Sequence, residues 1–184
     1  MELKGQNILV TGASQGIGRA IARELMANGA CVVVHYNAHR QEALDLIGEY
    51  PQTGSIALQA DMDQPEEVIK LFEESVRQLG GLHTLVVNAG IFPPHKVSGD
   101  ISDWWAGWKR TLAVNLDAAG LLTKLGITHF QSEGGGRFIY IGSRAAFRGE
   151  TEDFLAYAAS KGGLTSLART VARSFGKDRI TSFT

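Results

Sequence analysis

Tyr157 and Lys161 stand four residues apart in Tyr157-Ala-Ala-Ser-Lys161, fourteen residues beyond Ser143, in a chain that opens with Thr11-Gly-Ala-Ser-Gln-Gly-Ile-Gly18. On a helix, positions i and i+4 project from one face, which brings an ammonium beneath a phenol ring. Phenols exchange protons poorly near neutrality because their free pKa is about 10, and a nearby cation favours the anion. A tyrosine in that setting can give a proton to a carbonyl oxygen while a hydride arrives at carbon, or take one from an alcohol in the reverse direction. A serine such as Ser143 can donate to the same oxygen as negative charge develops; capping a turn is the other common use of its hydroxyl.

These residues need a scaffold. Apolar runs bounded by turn residues recur at Asn7 to Val10, Cys31 to Val34, Ile56 to Leu58, Leu85 to Val87 and Phe138 to Ile141, and read as short strands buried on both faces. Helical patterns alternate with them at Ile17 to Asn28, Gln41 to Glu49, Glu66 to Leu79, Asp103 to Gln131 and Asp153 to Phe175. Pro65 followed by Glu66 and Glu67 suits a first helical turn. Strand and helix in alternation predict one α/β domain over residues 1–184, a doubly wound parallel sheet with its crevice at the carboxyl ends of the strands. Leu9-Val-Thr-Gly12 ends the first strand there, and Gly12, Gly16 and Gly18 let the backbone turn tightly beside a phosphate that meets the next helix N-terminus. Glycines at such a place can also serve only the sharp turn.

The glycine motif, Asp61 after the third strand, Asn88-Ala-Gly90 after the fourth, Asn115, Ser143 and the Tyr157/Lys161 pair occur together and in order, and on them the chain resembles the short-chain dehydrogenase/reductase family from about Lys4 to its end. The resemblance implies a Rossmann fold and an NAD(P)-dependent oxidoreductase acting on a carbonyl or alcohol. It implies that Ser14, Gln15 and Ile17 in the glycine loop, Asp61 and Met62 at the adenine, and Asn88, Ala89 and Gly90 along the dinucleotide bind the cofactor, with Tyr157 and Lys161 at the nicotinamide ribose. It gives Ser143 the task of orienting the carbonyl, Tyr157 that of general acid/base, and Asn115 that of distorting its helix and holding a water in a proton relay to Lys161. From the residues alone, Asp61 also fits a simple turn, and Asn115, disfavoured inside a helix, also fits a bond across a helix interface.

Cofactor choice turns on Val34-His-Tyr-Asn-Ala-His-Arg40 at the end of the second strand. An NAD site usually carries an acidic residue here, and this stretch has none. Asn37, His39 and Arg40 can donate to a 2′-phosphate, so NADP is the expected cofactor, with NAD as the alternative. Gln15 stands where many NADP-dependent relatives carry a basic residue, and Arg40 also fits a solvated helix start. Substrate identity is not encoded this plainly. Phe92, Phe147 and Phe154 suggest an apolar wall, and Arg144 and Arg148 suit an anionic group or merely solvent. A 3-oxoacyl-carrier-protein reductase is one role the resemblance implies, but Gly126 to Gly136 offers no Lys or Arg to an acidic carrier.

The 184 residues are 44% hydrophobic and 20% charged, with a net charge of -1, which fits a globular domain and gives no general attraction to nucleic acid or an anionic membrane. The sole cysteine, Cys31, excludes an internal disulfide and reads as a small core residue in a reducing cytoplasm. The start, Met1 to Gln6, lacks a leader pattern. The five histidines show no ligand spacing and read as surface or turn residues, so no metal is expected. Trp104, Trp105 and Trp108 suit core or subunit packing. The resemblance implies a homodimer or homotetramer through the two long helices. It also implies a substrate lid and a seventh strand beyond Thr184, so the expectation is a tail beyond the sequence in hand, with truncation as the alternative. A non-catalytic nucleotide-binding relative or an inactive truncated enzyme is then the competing function.

Overall fold

In a computed structural model that describes residues 3–184, the strands are β1 (Asn7–Val10), β2 (Cys31–Tyr36), β3 (Ile56–Gln59), β4 (Thr84–Val87), β5 (Gly136–Tyr140) and β6 (Ile180–Phe183), all parallel, in the order β3-β2-β1-β4-β5-β6. The chain moves outward from β1 to β3, then returns across β1 to start β4. The two halves diverge at the β1/β4 boundary, and loops leaving the carboxyl ends of these strands part to form a crevice.

Period-two alternation assigns each strand residue to one of two cores. Leu9, Val33 and Leu85 pack with Val68, Leu71 and Phe72 of α3 (Pro65–Leu79), Leu122 and Phe130 of α5 (Ala118–Ser132) and Leu164, Ala168 and Val171 of α7 (Leu155–Ser174). On the other face Ile8, Val10, Val32, Val34 and Val86 pack with Ala22 and Met26 of α1 (Gly16–Ala27) and Ala43 and Leu46 of α2 (Arg40–Gly48). Helices α4 (Ile101–Leu112) and α6 (Ala145–Arg148) complete the set. Pro65 opens α3 with Glu66 and Glu67 in its first turn, as its sequence predicts. Among the described residues no helix is long and apolar enough to cross a membrane.

Several expectations are corrected. β3 is not buried on both faces: it lies at the sheet edge, where Ile56, Ala57 and Leu58 are only partly covered and Gln59 is exposed. β2 runs two residues past Val34 because His35 and Tyr36 stay in register with Leu58 and Gln59. The long helical run divides into α4 and α5 around a π-helical turn, Ala113–Asp117. Cys31 opens β2 half-buried, its thiol toward the Gly54 carbonyl at 3.2 Å, rather than inside the core. Trp104, Trp105 and Trp108 stack on one another along α4, with ring centroids 5.4 to 6.5 Å apart, and belong to neither core. Met1 and Glu2, which begin the stretch read as leaderless, lie outside the described residues.

Candidate active site

The crevice at the β1/β4 boundary is a cleft of about 460 Å³, within the range of small-ligand sites. At one end is the glycine loop. Gly12 (φ +62°) and Gly16 (φ +56°) occupy the left-handed region that only glycine enters without strain. Gly18 lies behind the loop, where a Cβ would strike the Gly12 carbonyl and the Asn88 side-chain amide. α1 begins at Gly16 with no side-chain cap and no carboxylate in its first turn, leaving the positive end of the helix to the cleft.

Two side chains lock this loop to the loop after β4. The Thr11 hydroxyl accepts from the Asn88 and Ala89 backbone amides, each at 2.9 Å, and donates to the Val86 carbonyl at 3.3 Å. The Asn88 side-chain amide donates to the Thr11 and Gly12 carbonyls at 2.8 and 3.1 Å. Asp61 and Met62 close the end below β3. There the Asp61 carboxylate accepts from the Asp63 amide at 3.0 Å, so its turn role is realised even as it lines the cleft.

Tyr157 and Lys161 form the other end, with Gly90, Ile91, Phe92, Ile141 and Gly142. Lys161 is buried, and its ammonium donates to the Ile141 carbonyl at 2.9 Å while lying 5.9 Å from the centre of the Tyr157 ring. Burial pushes Lys161 below the usual lysine range, making it a readier proton donor than an exposed lysine. Phe92 meets Tyr157 edge to face at 4.4 Å and stacks on Phe154 at 3.9 Å. Tyr140, the nearest tyrosine in sequence, is no rival: burial pushes its phenol up to about 12, and its hydroxyl pairs with Thr123 at 2.7 Å inside the core.

Asn115 sits in the π-helical turn, a distortion often found at functional sites. Its side-chain oxygen accepts from the Ile91 amide at 2.7 Å, and its nitrogen donates to the Ile91 carbonyl at 3.0 Å and the Ser160 hydroxyl at 3.1 Å. It therefore fastens the loop after β4 to the residue preceding Lys161.

Of the residues singled out from sequence, Gly12, Ser14, Gln15, Gly16, Ile17, Asn37, His39, Asp61, Met62, Asn88, Ala89, Gly90, Tyr157 and Lys161 line one cleft. Gly18 and Asn115 stand behind it as supports. Ser143 is not brought to the lining: it follows Gly142, and its hydroxyl oxygen accepts from the Ala145 amide at 3.1 Å, a turn-capping use that leaves the hydroxyl proton available. Arg40 opens α2, exposed and away from the lining; Arg144, just before α6, and Arg148, its last residue, are likewise exposed and outside the lining, and Arg148 pairs with Glu150 at 3.1 Å. His35 overturns the view of every histidine as a surface or turn residue, being 1% exposed and part of the cleft wall. The signal was a polar residue in line with Val33 at the end of a buried run. Arg110 reaches the cleft from α4, a placement that no local pattern encodes.

Known proteins share this fold. The family model described as "short chain dehydrogenase" matches residues 6–183. A hydroxynaphthalene reductase-like protein, Arp2, of Metarhizium robertsii is 33% identical over 183 residues, covering 97% of this chain; the chain spans 66% of that relative's length. A short chain dehydrogenase from Burkholderia cenocepacia, solved in complex with NADP, superposes with a TM-score of 0.88 at 34% identity over 99% of this chain and 73% of its own. A 7α-hydroxysteroid dehydrogenase, solved with NADH and 7-oxo glycochenodeoxycholic acid, gives 0.85 at 29% identity, over 97% and 69%. The chain belongs to the short-chain dehydrogenase family.

Proposed function

We propose that the protein is an NADP(H)-dependent oxidoreductase interconverting a carbonyl and an alcohol, with Tyr157 as general acid/base. The observation that carries this reading is that Tyr157 and Lys161 line the same cleft as the glycine loop, so that a dinucleotide held at the loop would bring its nicotinamide to them. The glycine loop and the uncapped start of α1 fit a pyrophosphate, and Lys161 fits a ribose hydroxyl. When bound, a reduced nicotinamide supplies the hydride. Tyr157 donates the proton to the substrate oxygen. Lys161 supplies the positive charge behind the phenol, Ser143 turns its hydroxyl proton to the carbonyl, and water held near the distorted turn at Asn115 returns a proton through Lys161. In the alcohol-oxidising direction each proton moves oppositely.

For the cofactor, Asn37 and His39 line the cleft and neither is acidic, which favours NADP over NAD. The Glu42 carboxylate, 3.3 Å from His39 Nδ1, works against this and limits the advantage. A charge-assisted hydrogen bond contributes about 1.5–3 kcal/mol, so NADPH should bind about tenfold more tightly than NADH in parallel titrations. A preference for NADH would overturn the assignment of Asn37 and His39.

On the substrate side, the exposed Phe92 ring beside Tyr157 offers a flat apolar surface. The hydroxynaphthalene reductase-like name of one relative supports an aromatic ketone as the first substrate to try. Phe92→Ala should raise KM for such a ketone about tenfold, as expected for a lost aromatic contact of about 1.4 kcal/mol, with NADPH affinity unchanged. An unchanged KM would remove Phe92 from the substrate wall. Partners beyond a small molecule follow the family habit of self-association; sedimentation of the intact protein tests for a dimer or tetramer.

A further inference from the structure

His35, the penultimate residue of β2, has both ring nitrogens engaged. Nδ1 accepts from the Gly12 backbone amide at 2.8 Å, and Nε2 lies 3.0 Å from the Ala60 carbonyl. An amide can only donate and a carbonyl can only accept, so the ring is neutral with its proton on Nε2. The His35 backbone carbonyl also accepts from the Ala13 amide at 2.8 Å, and the Tyr36 carbonyl accepts from the Ala60 amide at 3.1 Å. One residue thus joins the ends of β1, β2 and β3, the three strand ends that carry the glycine loop, Asn37 and Asp61 to the cleft.

We propose that His35 is a positioning residue for cofactor binding: its neutral ring pins the Gly12 amide and holds the glycine loop in shape, and protonation releases the pin. The proposal rests on the cofactor reading above. A protonated ring would present an N–H to the Gly12 N–H across 2.8 Å, so the charged form cannot keep this contact. The charged groups around the ring are few. Asp61 favours the imidazolium from the β3 side, while Glu67 of α3 is turned to the Asp61 amide at 2.6 Å. From α2, His39 and Glu42 pair with one another in solvent. Nearly complete burial outweighs Asp61 and pushes His35 below the usual histidine range.

The sign follows from linkage. The unfolded or loosened chain binds the proton more readily than the native one, so the pin contributes fully above the unfolded pKa of about 6.5 and is lost as pH falls through the lower native value. Cofactor, which selects the pinned loop, then loses affinity by up to tenfold per pH unit below that native value.

The test titrates NADP+ against the whole protein by tryptophan fluorescence between pH 5 and 8, for wild type and His35→Asn. Asparagine offers an acceptor and a donor but does not titrate. The expected result is an acid limb in wild type and a markedly flatter one in the variant, each measured relative to that protein's own affinity at pH 8; titration of the ligand's own phosphate is common to both. Equal acid limbs, or a wild type flat to pH 5, would overturn the proposal. Should the variant not fold, the nitrogen shifts of the wild-type His35 ring decide: a neutral Nε2–H tautomer at pH 7 that gains a proton as affinity drops supports the pin, and an Nδ1–H ring at pH 7 overturns it. No binding of NADP+ or NAD+ at pH 8 would instead overturn the cofactor reading, an outcome distinct from pH-flat binding.

Discussion

Tyr157→Phe should lower kcat for carbonyl reduction by about 10²–10⁴-fold, the range supplied by a positioned acid, and leave NADP(H) affinity within about twofold. The substitution removes one hydroxyl and keeps the ring, so the edge-to-face contact with Phe92 at 4.4 Å survives. Lys161 is also undisturbed, because its ammonium is held by the Ile141 carbonyl rather than by the phenol. Loss of turnover is therefore expected without loss of fold, which separates a chemical role from a packing role. The measurement is steady-state reduction beside a cofactor titration and a melting curve on the same preparation. A variant that retains a third of wild-type turnover would exclude Tyr157 as the proton donor.

Gly18→Ala should be the most damaging single methyl group in the cofactor half. Its Cβ would meet the Gly12 carbonyl oxygen and the Asn88 side-chain amide, with the Gly12 carbonyl carbon at 2.9 Å. These are not flexible chain ends. The Gly12 carbonyl belongs to the loop, and Asn88 already holds two carbonyls with that amide. Overpacking of this kind costs about 1–3 kcal/mol, occasionally more, and the better helix propensity of alanine returns at most about 1 kcal/mol. A net loss near 2 kcal/mol lowers Tm by about 4–8 °C for a domain of this size. NADP+ affinity should fall by at least about 100-fold, since α1 must retreat from the loop whose amides it presents. Gly120→Ala in α5, where a Cβ meets nothing within 4 Å, is the control and should be neutral or slightly stabilising in the same melts. Equal behaviour of the two variants would show that close approach at Gly18 is not what shapes the loop.

The contrast between these positions also shows what a sequence conveys. The placement of Tyr157, Lys161 and the glycines at the cleft was legible because it depends on local spacing: a helical i, i+4 pair and a strand-to-helix turn. Asn115 was legible as an anomaly, a poor helix former inside a helical run, and the π-helical turn is the local answer to it. The strands were legible from their apolar runs, except where a neighbour decided the ending. β2 continues to Tyr36 only because β3 pairs with it, and reading its end at Val34 concealed that His35 is a buried strand residue. Ser143 and Arg40 were placed by order along the chain, but the direction of a loop side chain depends on its next hydrogen bond. For Ser143 that bond is to Ala145, and Arg40 turns to solvent as α2 begins. Phe92 and Phe154 could be named as apolar, yet their stacking depends on two segments 62 residues apart in sequence meeting, which no local pattern contains.

The π-helical turn has a geometric effect well beyond Asn115. Each residue of an α-helix advances about 100° around the axis, so one surplus residue in a turn rotates every later side chain by that angle relative to those before it. α4 accordingly packs on α7, whereas α5, continuing almost the same rod, packs on α3 and on β4, β5 and β6. The surplus residue lets one rod serve two differently oriented surfaces, and the change of phase falls where the rod passes the cleft.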